Sequence, residues 1–329
     1  MSDSPPLTPA CSHTVSVQLP DLLSSCAPFE LRVNRHCRSV SRASEAWLRE
    51  VGLKLEWKGM KVGLWAALCY PGADLTQLRL AVDFLSLLVF EQEQGWERDG
   101  GGDENKNENE NGMIDLISDR LSRVAYKSPA WYMRFHRSMR AYHDARRRLH
   151  SLNSTCIPDL ETYVDLRRNA SGLRMVFHLI EYAGGLDLPE RASSHPVLKQ
   201  LTDQACDLIA WSEVRACVKQ YDAISCAKGM TPSSKLNIVT VLMKDRNCSF
   251  GSALAYVGTL VKQSADAFLV TERQFAACAV MNDDARRYVK GLRDCIAGSV
   301  NWLYETERYL GTKGNEVRAF GWVFVPVLD

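Results

Sequence analysis

Several features that would assign a class at once are missing from this sequence of 329 residues. No apolar run reaches the roughly 18 residues that a membrane-spanning helix requires, so no span is expected. The first twenty residues, MSDSPPLTPACSHTVSVQLP, have no basic start and no apolar stretch, and no signal peptide is expected. Charge of either sign is not in excess. The net charge is +1, which removes the bulk electrostatic case for nucleic acid or an acidic membrane as partner. The eleven cysteines include no CxxC pair and stand beside no histidine cluster, so a zinc site is not expected. Cys206, Cys217, Cys278 and Cys295 fall within helical patterns and read as small core residues in a reducing compartment. A cytoplasmic protein is the expectation. Strand-type alternation is nearly absent, and no repeat of fixed period is found.

What is present is helical. Apolar residues make up 46% of the chain, ample for a core. Helical periodicity runs over 39–51, 75–94, 113–122, 131–152, 160–167, 173–182, 198–220, 236–245, 249–264, 272–280 and 284–310. In 75–94 the residues Phe84, Leu87, Leu88 and Glu91 share one stripe. Gly172 interrupts one pattern, and Gly184 and Gly185 end the next. The segment 95–112, GWERDGGGDENKNENENG, is acidic and of low complexity. It reads as a solvated, disordered loop, and its spacing does not resemble an EF-hand. The run Arg146, Arg147, Arg148 reads as a solvated helix face. The expected architecture is all-α, with residues 1–20 loose, one α domain over 21–311 and a tail over 312–329.

Five stretches carry a resemblance. NWLYETERYLG places Trp302, Arg308 and Tyr309 in the pattern WxxxxxRY. LRRNASG holds Arg167 and Arg168 just before Ser171 and Gly172. LCYPGADLTQLRLAVDFLSLLVFEQEQ, EYAGGLDLPE and KLNIVTVLMKD complete the ordered set, which spans roughly residues 20–311. The chain resembles class I terpene cyclases of the fungal type. That resemblance implies a helical bundle around a central apolar cavity. It makes Arg168 the diphosphate sensor, Ser171 the linker and Gly172 the helix-break effector. It directs Lys219, Arg308 and Tyr309 toward a diphosphate, and lines the cavity with Phe84, Leu87, Leu88, Leu208, Ser212 and Trp302. A cavity of this kind would take a terpenoid or prenyl diphosphate, in a monomer or homodimer.

The same resemblance exposes what has been lost. The family holds Mg2+ through an aspartate-rich motif and a motif of pattern NDxxSxxxE. Mg2+ favours hard oxygen ligands in octahedral array. Here the first motif reads Glu91, Gln92, Glu93 and Gln94, and Glu93 points about 160° away from Glu91 on an ideal helix. The second falls in LIAWSEVRACVKQ, read as one helix over Leu208–Gln220, on which Ala205, Leu208, Ser212, Ala216 and Lys219 share a face. Its motif positions are Ser212, Glu213, Ala216 and Gln220, so Ala216 offers no ligand atom. Glu91, Ser212 and Gln220 remain as remnant positions at which no metal is expected. Arg215 stands one turn before Lys219, and like charges at i and i+4 repel unless an anion lies between them. Two readings of the surviving cations stay open: ion pairs with Glu91, Glu305 or Glu307, or a clamp for an anionic or leaving group. The expectation is a non-standard terpene cyclase-like enzyme that needs no Mg2+ and forms a C–C, C–N or C–O bond. The alternatives are an Mg2+-dependent sesquiterpene cyclase acting on farnesyl diphosphate, and a catalytically dead terpenoid-binding protein.

Overall fold

The computed structural model describes residues 13–54, 57–94, 114–152, 157–213, 236–278 and 282–327. The described residues form helices in nearly every part. These are α1 (Leu22–Ser25), α2 (Cys37–Glu50), α3 (Trp57–Met60), α4 (Val62–Cys69), α5 (Leu75–Gln94), α6 (Ser118–Lys127), α7 (Pro129–Ser151), α8 (Leu160–Ala170), α9 (Leu173–Gly184), α10 (Glu190–Ser193) and α11 (Pro196–Ser212). After them come α12 (Ile238–Asp245), α13 (Phe250–Ala276), α14 (Asp283–Glu305), α15 (Glu307–Leu310) and α16 (Gly314–Phe320).

Two helices form the centre. Residues 80–89 of α5 are buried without interruption, and so are 295–300 of α14. A helix buried on every side must be apolar all round, and both stretches largely are. α14 packs on α4, α9 and α11, and α11 packs along α13. Gly298 allows the tightest of these approaches. A Cβ there would stand 2.7 Å from the carbonyl carbon of Leu68, so α14 and α4 meet backbone to backbone. Trp65 Nε1 donates to Ser299 Oγ at 3.0 Å across the same contact. Arg32 clamps Asp294 through two oxygens, at 2.7 and 2.6 Å, and ties the N-terminal arm to α14.

Four sequence expectations are corrected. The segment 1–20 is not wholly loose, because His13–Gln18 forms a strand, β1. It pairs antiparallel with Trp322–Val327, β2, in the stretch expected to be a tail, with Val17 opposite Val323. Both strands alternate valine with other residues, and Val17 and Val323 pack on the core from the paired ribbon. The patterns 249–264 and 272–280 belong to one helix, α13. Its buried stripe runs unbroken through Val261, Ala265, Phe268, Thr271 and Phe275, with no Gly or Pro between them. The pattern 284–310 breaks at Thr306, whose extended backbone ends α14 and whose hydroxyl caps α15 by accepting from Arg308 N at 3.2 Å. The helix expected to continue to Gln220 ends at Ser212, with Glu213 as its C-cap. Ser212 Oγ donates back to Leu208 O at 2.7 Å, the bond by which serine weakens a helix end. The acidic segment 95–112 lies outside the described residues, as do Arg215, Ala216, Cys217, Lys219 and Gln220.

Candidate active site

The C-terminal end of α5, the start of α9, the end of α11 and the short helix α15 meet at one end of the bundle. The glycine break between α8 and α9 builds part of it. Gly172 has φ +78°, and a Cβ there would lie 3.0 Å from both methyls of Leu88. Only glycine takes that backbone without strain while leaving Leu88 its place. Ser171 is buried beside the break and its carbonyl accepts from Gln92 Nε2 at 3.2 Å. The end of α5 is thus hydrogen-bonded to the helix break.

The break at Thr306 sets the other wall. Had α14 run on to Leu310, Arg308 would continue its surface. Instead α15 turns, and Arg308 Nε donates to Glu93 at 2.7 Å while Nη2 donates to Gln92 Oε1 at 3.1 Å. Burial works against the Arg308 charge, but Tyr309, Glu93 and Glu213 outweigh it and push its pKa up. Tyr309 is buried edge-on to Trp302, with ring centroids 6.0 Å apart. Burial raises its phenol pKa, the neighbouring Arg308 opposes the rise, and Glu213 adds to it. Arg167 donates to Glu213, so a second guanidinium–carboxylate pair lies within the field of the first.

Glu91 faces elsewhere, as the helical angle requires. Its Oε1 lies 3.4 Å from His143 Nδ1 on α7. Burial raises the Glu91 pKa, with His143 and Arg146 pulling the other way. Arg146 donates to Tyr142 OH at 3.0 Å. It is therefore turned inward, whereas Arg147 and Arg148 are exposed as the basic run predicts.

The sensor position Arg168 is placed differently from its neighbour. It grips Asp207 on α11 through two bonds of 2.8 and 2.7 Å and reaches Asp165 at 3.2 Å. Arg167, one position earlier, is the arginine that shares the cluster with Arg308 and Tyr309. The sequence holds both in LRRNASG, and spacing cannot say which turns inward. His143 and Arg146 were also missed, because they come from α7 and only packing brings them to Glu91. Of the partners considered for the surviving cations, Glu305 pairs with Lys61 and Arg318, away from Arg308.

The expected cavity residues Phe84, Leu87, Leu88, Leu208, Ser212 and Trp302 are all buried. Trp302 stacks on Trp65 with centroids 4.6 Å apart, and its Nε1 donates to the Met60 and Lys61 carbonyls, both at 3.1 Å. Phe84 meets Phe135 edge to face at 5.4 Å.

A bundle of this topology, with an arginine–tyrosine pair and an acidic helix end at one mouth, is the architecture of class I terpene cyclases. The family described as "Terpene synthase family 2, C-terminal metal binding" matches residues 75–267. Sesquiterpene synthase Agr1 of Cyclocybe aegerita is 32% identical over 94% of this chain and 94% of its own length. Alpha-muurolene synthase of Coprinopsis cinerea is 29% identical, covering 94% of this chain and 79% of that protein. Among solved structures, wild-type cucumene synthase superposes with a TM-score of 0.67 at 21% identity, over 84% of this chain and 98% of that one. The chain belongs to the terpene synthase family, and it is an enzyme of the terpene cyclase type.

The family's metal can be tested against the donors in place. Glu93 is engaged by Arg308 and Glu213 by Arg167. Ser212 Oγ is turned to its own helix, and Glu91 sits apart with His143. Among the described residues no three His, Cys, Asp or Glu side chains converge in a way that could hold a metal ion. Among the described residues, then, the donors do not assemble an Mg2+ cluster, which needs several unengaged carboxylates at one point, and Gln220 lies outside those residues.

Proposed function

We propose that the chain is a non-standard terpene cyclase-like enzyme that processes a terpenoid with guanidinium groups, rather than Mg2+, facing the anionic end of the substrate. The observation that carries this reading is the contact of Arg308 with Glu93 and Gln92. It puts a fixed cation on the remnant of the acidic motif, where the family would put a metal. The substrate would bind with its apolar body toward the Phe84, Leu87 and Trp302 wall and its anionic group at Arg308, Arg167 and Tyr309. Fixed donors in a water-poor site stabilise charge that develops on a leaving group, and they need no reorganisation during reaction. The faces of Trp302 and Phe84 suit a carbocation formed beneath them. Bond formation within that chamber, C–C or to nitrogen or oxygen, is then a matter of which nucleophile the bound substrate presents. Arg215 and Lys219 remain proposed members of the anion clamp.

Similarity to Agr1 over almost the whole chain favours a second reading, an Mg2+-dependent sesquiterpene cyclase acting on farnesyl diphosphate. One experiment separates the two. Farnesyl diphosphate and oxygenated terpenoids are incubated with the enzyme, with Mg2+ or with EDTA, and products are resolved by gas chromatography and mass spectrometry. Turnover that survives EDTA and falls in Arg215→Ala is the expected result. Hydrocarbon products that vanish with EDTA would overturn the proposal in favour of the second reading.

A further inference from the structure

Away from the mouth, at the N-terminal end of α5, a cavity of about 830 Å3 opens between α2, α6, the first turn of α7 and the last turn of α9. That volume lies in the range of small-molecule sites. From Leu80, which lines it, to Gln92 at the mouth, α5 rises roughly 18 Å at 1.5 Å per residue, so the two sites are separate. Val40, Leu80, Val124 and Leu186 contribute apolar wall. Leu75, also in the lining, leaves 49% of its surface exposed and extends the apolar wall to the opening.

The rim is cationic. Arg79 and Arg120 converge on the buried Asp83 at 2.8 and 2.5 Å, two guanidinium groups on one carboxylate. Glu181, the acidic residue of the lining, is taken by Arg134 at 2.5 Å. Arg123 and Lys127 lie one turn apart on α6, both exposed and both lining the cavity. Among the described residues no carboxylate pairs with either. Like charges at that spacing repel each other, and an anion between them would reverse the sign of the interaction. Surplus positive charge above an apolar wall selects for a ligand with one anionic head and an apolar body.

The geometry points to a second binding site here for an amphiphilic carboxylate, its chain against Val40, Leu80 and Leu186 and its head between Arg123 and Lys127. This does not rest on the reaction proposed for the mouth. Decanoate and the uncharged decanol are the probes, titrated calorimetrically into the full chain. Decanoate should bind wild-type protein at one site. Arg123→Ala with Lys127→Ala should weaken decanoate about tenfold or more, as expected when charged hydrogen bonds are removed, and leave decanol unchanged. Both side chains are exposed, so the fold should tolerate their loss. Ala43→Trp, which fills the cavity from α2, should abolish binding of both probes. Arg308→Ala should leave decanoate binding within about twofold, the scatter allowed for distant independent sites. Unchanged decanoate affinity in the double variant overturns the proposal. So does no binding to wild type, or a loss confined to Arg308→Ala, which would assign the carboxylate to the mouth.

Discussion

The two ends of α5 treat positive charge in opposite ways. At the C-terminal end each principal cation is already matched: Arg308 with Glu93, Arg167 with Glu213, Arg168 with Asp207. At the N-terminal end Arg123 and Lys127 face a cavity with no carboxylate on them among the described residues. An anion arriving at the mouth must compete with resident carboxylates. An anion arriving between Arg123 and Lys127 meets no such competitor there. Carboxylates are costly to leave unpaired in a partly buried site, and at the mouth guanidinium groups supply the opposite charge. The mouth stays electrostatically balanced, and its arginines become both structural partners and candidates for substrate contact.

The largest effect should come from separating those two roles at Arg308. Arg308→Ala should lower turnover on the order of a hundredfold or more, the loss expected when one fixed donor facing developing negative charge is removed. Stability should fall too. Arg308→Ala combined with Glu93→Ala is the sharper probe. Residues in direct contact do not add, so the double variant should regain much of the lost melting temperature. If it also regains turnover, Arg308 does nothing but pair, and the mouth is structural on that side. If turnover stays low while stability returns, Arg308 meets the substrate.

Arg167 and Arg168 allow a smaller test between neighbours. Arg167→Ala should reduce turnover about tenfold or more, with a modest change in melting temperature. Arg168→Ala should do the reverse. Its bidentate grip on Asp207 joins α8 to α11, and losing a charge-assisted pair of this kind costs about 1.5–3 kcal/mol, or a few degrees in a chain of this size. Steady-state kinetics beside thermal unfolding decide it. Equal activity losses in both would place the two arginines in one anion site, as the sensor assignment of Arg168 implies.

That assignment marks where sequence reading stopped. The span of α5 was legible to the residue, because a stretch of 20 residues with a clear stripe and turn residues before it leaves little freedom. Gly172 was legible as a break for the same local reason. The bounds of α11 and α14 were not. Ser212 and Thr306 end their helices through side-chain bonds to backbone that compete with a strong apolar pattern. At Thr306 a signal was available, since Thr followed by Glu307 is a helix-start signature. At Ser212 none was. Spacing gives the angle between two residues on one helix, so it separated Glu91 from Glu93 correctly. It does not give the rotation of one helix against another, so it could not choose between Arg167 and Arg168 or bring His143 and Arg146 to Glu91.

The smallest effect concerns Glu91 and has a sign fixed by pH. Burial raises its pKa from the ordinary 4.5, and the attraction of His143 and Arg146 lowers it by less. A carboxyl whose folded pKa is raised contributes stability fully below its unfolded pKa, and that contribution is lost as pH rises through the folded value. At neutral pH ionised Glu91 is therefore a cost to the fold. Glu91→Gln keeps the shape and removes the charge, so it should raise the melting temperature by about a degree or two at pH 8 and change nothing at pH 4. His178, on α9, behaves in the opposite sense. Burial depresses its pKa below 6.5 despite Glu181, so its contribution is present above that value and lost on acidification. Wild-type protein should thus lose stability below pH 6.5, and His178→Gln should flatten that limb without touching the alkaline one. A Glu91→Gln variant that melts lower at pH 8 would show that pairing with His143 and Arg146 outweighs burial. Glu91 would then be a matched carboxylate, as Glu93 and Glu213 are at the mouth.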